Sequence, residues 1–220
     1  MRGLRRPQHA CSLLPRAAAG WGRERTCAGI RAIATVRPVE YAEFPFEPEF
    51  AALRGLYDEI DTWLQRPPES LRRVAPDVSA WSVEHHLAHI ALANELVARN
   101  LRSLLKGAGP FVVESGAPVP GALELLARGR FPRGKAQAPR IVRPPEAVER
   151  QYLLDWLAGN RRDFAELEPR IGELRETTKK VPHQLLGALS ASQWTRFAAC
   201  HRRHHLLIAS EVDSAPILPR

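Results

Sequence analysis

The sequence predicts an all-α protein, a four-helix bundle with a long connection between its second and third helices. Three observations carry this reading. Four segments of the 220-residue chain repeat apolar residues at helical spacing. A stretch rich in glycine and proline, about 107–145, separates the second from the third. No run of useful length alternates apolar and polar residues as a strand would. Four amphipathic helices of about 20 residues, each about 30 Å long, bury their apolar faces most economically against one another.

The first segment runs from about Glu47 to Gln65, with Phe50, Leu53, Tyr57, Ile60 and Leu64 on one face. Pro48 suits a first helical turn, and Pro67-Pro68 stops the helix. The second runs from about Ser82 to Lys106. Ser82 stands at a capping position, Glu84 favours the positive N-terminal end, and Gly107 and Gly109-Pro110 close the helix. Val83, Leu87, Ile90, Val97, Leu101 and Leu105 form its main stripe. Leu92 and Leu96 add apolar surface on other sides, so this helix should touch more than one neighbour. The third begins at Pro144-Pro145-Glu146 and continues to about Glu168, with Leu153, Leu157, Phe164 and Leu167 in line. The fourth opens on Ser190-Ala-Ser-Gln193, a capping box in sequence, and carries Trp194, Phe197, Ala198, His201, His205 and Ile208 before fraying after Glu211. Within the long connection a short helix is expected around Gly121–Arg128. A connection of that length reads as a functional lid or as a crossover between parallel helices.

The net charge of +8 belongs mostly to residues 1–40, where eight arginines face two glutamates; residues 41–220 carry only +2. A basic face for nucleic acid is therefore not expected on the folded body. Residues 1–40 are read as a disordered basic leader, or as translated sequence upstream of the true start, in preference to a mitochondrial transit peptide; residues 41–215 are read as the bundle domain. Three cysteines, Cys11, Cys27 and Cys200, make no disulfide framework and suit a reducing, cytoplasmic setting. No stretch is long and apolar enough for a membrane span.

Six of the eight histidines fall in two groups: His85, His86 and His89 in the second helix, and His201, His204 and His205 in the fourth. His201 and His205 are four apart, so they share a face, with Cβ atoms about 6 Å apart. They extend the apolar stripe of their helix. A buried imidazole left without partners costs about 1–3 kcal/mol per orphan group, and one metal ion satisfies two such rings at once. Arg202 stands where the metalloprotease pattern would place a glutamate, which disfavours that chemistry. The third ligand must come from another helix. His89 is one candidate beside His85 and His86, and periodicity alone does not choose among them. Of the remaining residues, His85 and His86 read as a solvated or outer pair, His204 as a neighbour of the site or a surface residue, and His183 as loop packing. Cys200 reads as a core thiol, the tryptophans as anchors, and Arg202 and Arg203 as a solvated charged face. Glu84 and Glu95 read as ordinary helix-surface carboxylates.

Trp81-Ser-Val-Glu-His-His-Leu-Ala-His89-Ile, His183-Gln-Leu-Leu-Gly187-Ala-Leu-Ser190-Ala-Ser-Gln-Trp194 and Phe197-Ala-Ala-Cys-His201-Arg-Arg-His204-His205-Leu together resemble the DinB/YfiT-like superfamily over about 45–212. That resemblance implies a metal-binding bundle, often dimeric, with His89, His201 and His205 in the ligand places. Gln184 follows His183 where the family usually has proline. Three neutral imidazoles leave a divalent ion its full charge and open positions, which suits zinc, nickel or iron and an anionic or thiol small-molecule partner. The resemblance points to a thiol-using transferase or hydrolase. The alternative is a non-enzymatic metal- or ligand-binding bundle linked to stress response.

Overall fold

The computed structural model describes residues 44–134 and 137–216; the leader expected over residues 1–40 lies outside them. The chain is mostly helical, with one small two-stranded sheet. In order it forms α1 (Phe46–Leu64), α2 (Pro68–Leu71), α3 (Val83–Lys106), α4 (Ala122–Arg128), α5 (Arg150–Leu167), α6 (Ile171–Glu176), β1 (Val181–His183), β2 (Gly187–Leu189) and α7 (Ala191–Ser214). No helix among the described residues is long and apolar enough to cross a membrane.

The long helices form where periodicity and caps agree. Ser82 accepts from the His85 N–H at the start of α3, and Gly107 closes it with a left-handed φ of 62°. Ser190 and Gln193 complete a reciprocal capping box on α7. Phe50, Leu53, Tyr57, Ile60 and Leu64 of α1 are all buried. α3 packs against both α5 and α7, and α1 packs against the same two. That double contact explains why α3 buries residues on several sides, from Val83 and Leu87 to Ala93 and Asn100. Leu104 is buried where Leu105 of the expected stripe is only half-buried.

Four expectations need correction. The third long helix starts at Arg150 and not at Pro144. Residues 143–149 are non-helical; Arg143 and Pro144 each precede a proline, which pushes them out of the α region. α7 continues to Ser214, since Val212 is fully buried and Arg66 pairs with Asp213 at 2.7 Å. A hairpin exists where no strand was expected: its three-residue strands are too short to show alternation, and Val181 pairs with Leu189 across it. Arg202 is not solvated. It is fully buried, donates to the Leu53 and Ala52 carbonyls at 2.6 and 2.7 Å, and stacks 4.8 Å from the Tyr57 ring centroid.

The connection between α3 and α5 is tied to the hairpin by backbone hydrogen bonds. Val113 and Lys180 exchange bonds of 2.9 and 3.0 Å, Val119 donates to Leu186, and Ala188 donates to Ala117. Gly187 sits at the crossing with φ +79°, and a Cβ there would lie 2.6 Å from the Ala117 carbonyl oxygen. Gly187→Ala is therefore expected to cost about 2 kcal/mol, from the left-handed backbone and the close approach together. Urea unfolding would measure it; an unchanged midpoint would show that the crossing is dispensable.

Candidate metal centre

The N-terminal half of α3 faces the middle of α7, and each brings histidines to the contact. The capping of α3 also orients its first ring. The Glu146 carbonyl can only accept, so His85 Nε2 donates to it at 3.1 Å, and the Ser82 hydroxyl donates to His85 Nδ1 at 2.6 Å. His85 is thereby satisfied away from the other rings.

His89 lies one turn further on and is 3% exposed. Its Nδ1 donates to the Val142 carbonyl at 2.7 Å, from the 3-10 turn Arg140–Val142. In the neutral ring that proton leaves Nε2 with a free lone pair. Nε2 stands 3.1 Å from Nε2 of His201. His205 completes the group, its ring centroid 4.5 Å from that of His89 and 4.6 Å from that of His201. One ring nitrogen from each of His89, His201 and His205 lies within 4.8 Å of the others. The i, i+4 spacing on α7 brings the last two together, and the α3–α7 packing supplies the first.

Burial pushes all three imidazoles below their ordinary range, and for His201 and His205 the neighbouring rings add to the effect. They are neutral at physiological pH, the form in which imidazole binds a metal. The walls are aromatic. Trp81 lies against His89 at 5.0 Å and His205 at 6.3 Å between centroids, and Phe197 stacks on His201 at 5.1 Å. Phe131, from the long connection, meets His201 at 6.3 Å and His204 at 5.9 Å. The convergence of neutral nitrogen donors in an apolar surround, with the His89 lone pair aimed into it, fits a divalent ion of borderline softness.

The DinB superfamily model matches residues 52–209. The chain belongs to the DinB superfamily. No curated protein and no solved structure gives a significant match. The DinB match begins within α1 and ends within α7, so it contains the three converging histidines and the elements that place them.

Within this DinB domain other histidines take distinct places. His183, expected in a loop, ends β1: its Nδ1 accepts from the Leu185 and Leu186 N–H groups of the hairpin turn, and its ring lies 4.8 Å from Phe197. His204 is half-buried beside His205, their centroids 5.0 Å apart. Cys200 is a buried thiol pushed up to about 11 by burial. Glu84 lies 4.0 Å from Arg72, and Glu95 pairs with Arg99 at 3.0 Å. The sequence reading understated His86. It is 2% exposed, and its Nδ1 lies 3.1 Å from Nδ1 of His205. Its spacing of three from His89 was the signal available, since residues three apart share a helix face.

Proposed function

We propose that this protein is a metal-dependent transferase or hydrolase of the DinB superfamily, with His89, His201 and His205 as ligands of one divalent ion, zinc, nickel or iron. The observation that carries the reading is the approach of one ring nitrogen from each of the three to within 4.8 Å. The four long helices α1, α3, α5 and α7 are read as the bundle of the family, with residues 107–145 as its crossover.

When bound, the ion would supply Lewis acidity and lower the pKa of a bound water or thiol. The chain's own residues do the rest. His89 is oriented through Val142, and Trp81, Phe131 and Phe197 line the rings with apolar surface. Three neutral ligands leave the ion's charge uncompensated, so an anionic or thiol small molecule is the preferred partner. Cytoplasmic residence and a homodimer belong to the same reading.

A second reading has its own support. Among the described residues no carboxylate hydrogen-bonds to these three rings. A non-enzymatic metal- or ligand-binding protein needs none.

The test is elemental analysis of the purified protein. About one equivalent of metal is expected per chain, and His201→Ala should lose it, because two imidazoles hold a divalent ion far more weakly than three. Unchanged metal content in His201→Ala would overturn the ligand assignment. Turnover with a panel of thiols and electrophiles then separates enzyme from binder: metal retained without turnover favours the binder.

A further inference from the structure

Outside the three converging rings, the most constrained polar group in the α3–α7 contact is His86. It meets the cluster at His205, with ring centroids 5.3 Å apart. His86 Nδ1 faces His205 Nδ1 at 3.1 Å, and His86 Nε2 faces Ser79 Oγ at 3.0 Å. Ser79 is itself held, its Oγ accepting from the Trp81 N–H at 3.1 Å. Trp81 in turn lies against His86, 5.5 Å between ring centroids. Ser79, Trp81 and His86 thus form one unit that reaches His205 from the side away from the Nε2 of that ring.

We infer that His86, anchored by Ser79, is a positioning residue that fixes His205 with its proton on Nδ1 and its Nε2 lone pair free for the metal. The inference rests on the metal-site reading above. Two proton arrangements satisfy the chain of contacts. In one, the Ser79 hydroxyl donates to His86 Nε2 and His86 Nδ1 donates to His205 Nδ1; His205 then carries its proton on Nε2, and that nitrogen cannot bind a metal. In the other, His205 Nδ1 donates to His86 Nδ1 and His86 Nε2 donates to Ser79 Oγ. Only the second leaves a lone pair on His205 Nε2, so a bound ion selects it. His205 is then held as His89 is, through a hydrogen bond from the nitrogen that does not ligate. The two ligands differ in what accepts: a backbone carbonyl for His89, a second imidazole for His205.

The experiment measures zinc affinity of the full chain by chelator competition, comparing wild type, His86→Leu, His86→Asn, Ser79→Ala and His201→Ala. His86→Leu should weaken zinc about 10- to 100-fold, the usual effect of losing such an outer partner. His86→Asn, whose carbonyl can accept from His205, should recover most of the loss, and Ser79→Ala should lose less than His86→Leu. A residue that served packing alone would be rescued by Leu and not by Asn. Imidazole nitrogen NMR of the zinc-loaded wild type provides a second readout that needs no folded variant: His86 should carry its proton on Nε2 and His205 on Nδ1. Wild-type zinc affinity in His86→Leu, or His86 protonated on Nδ1 in the loaded protein, would overturn the proposal while a zinc-deficient His201→Ala keeps the metal site standing. Failure of the wild type to bind zinc, nickel or iron would overturn both.

Discussion

Metal-free protein is expected to lose several kcal/mol of stability between pH 6.5 and pH 4.5. Burial holds His86 down to about 3 and His183 to about 4, and it lowers His89, His201 and His205 as well. An unfolded histidine titrates near 6.5. Below that pH the unfolded chain binds protons that the folded chain refuses, so stability falls as pH falls. The stabilising contribution of each ring is complete above pH 6.5 and disappears as the pH drops toward the folded value. Each ring contributes a slope of up to about 1.4 kcal/mol per pH unit, so His86 alone accounts for about 2–3 kcal/mol by pH 4.5. Total stability for a domain of this size is about 5–15 kcal/mol.

Two carboxylates, buried Glu49 and half-buried Glu84, act in the opposite sense. Burial raises Glu49 and Glu84, so the folded state takes up their protons first and gains a little as pH falls. They are outnumbered by six lowered imidazoles, His204 included. Urea midpoints measured from pH 7 to pH 4.5 would trace the effect. A flat profile over that range would mean that the histidines are solvated, and the tertiary placement of α3 against α7 would be wrong.

The second large effect is expected at Arg202. Its guanidinium is enclosed between α7 and α1, bonded to the Ala52 and Leu53 carbonyls and stacked on Tyr57. No carboxylate pairs with it among the described residues, its Nε has no partner, and burial lowers it to about 10. It is therefore a charged side chain at neutral pH that fills core volume without a counter-ion. Arg202→Ala should cost about 2–4 kcal/mol, from the cavity and the lost cation–π contact. Arg202→Met fills most of the same space with no charge to desolvate, and should stay within about 1 kcal/mol of wild type. Chemical denaturation of the pair separates packing from charge. Equal losses in both would show that the two carbonyl bonds dominate.

Much of this architecture was legible because periodicity and caps are local. Ser82, Gly107 and the Ser190–Gln193 box lie at the ends of α3 and α7 as expected, and the stripes of α1 and α5 are buried as read. The misreading of Arg202 concerns a residue whose neighbours are distant in sequence. Arg202 sits on an amphipathic helix where a charge normally faces water. Only the approach of α1, about 150 positions earlier, encloses it. The hairpin strands span three residues each, too few for a pattern, and their pairing is reinforced by residues 113–119 of the connection between α3 and α5.

The histidines divide along the same line. Spacing by itself put His201 and His205 on one face, because a helix repeats every 3.6 residues whatever surrounds it. It did not single out His89 from His85 and His86, since three neighbouring positions on one helix differ only by rotation. The tertiary structure separated them through their partners. Glu146 and Ser82 take up His85, Val142 turns His89 inward, and Ser79 holds His86 against His205. An isolated sequence encodes which face a side chain occupies. Which hydrogen bond each ring nitrogen makes depends on the chains that pack against that face, and that packing decides whether an imidazole is a donor to a neighbour or has a lone pair free for an ion.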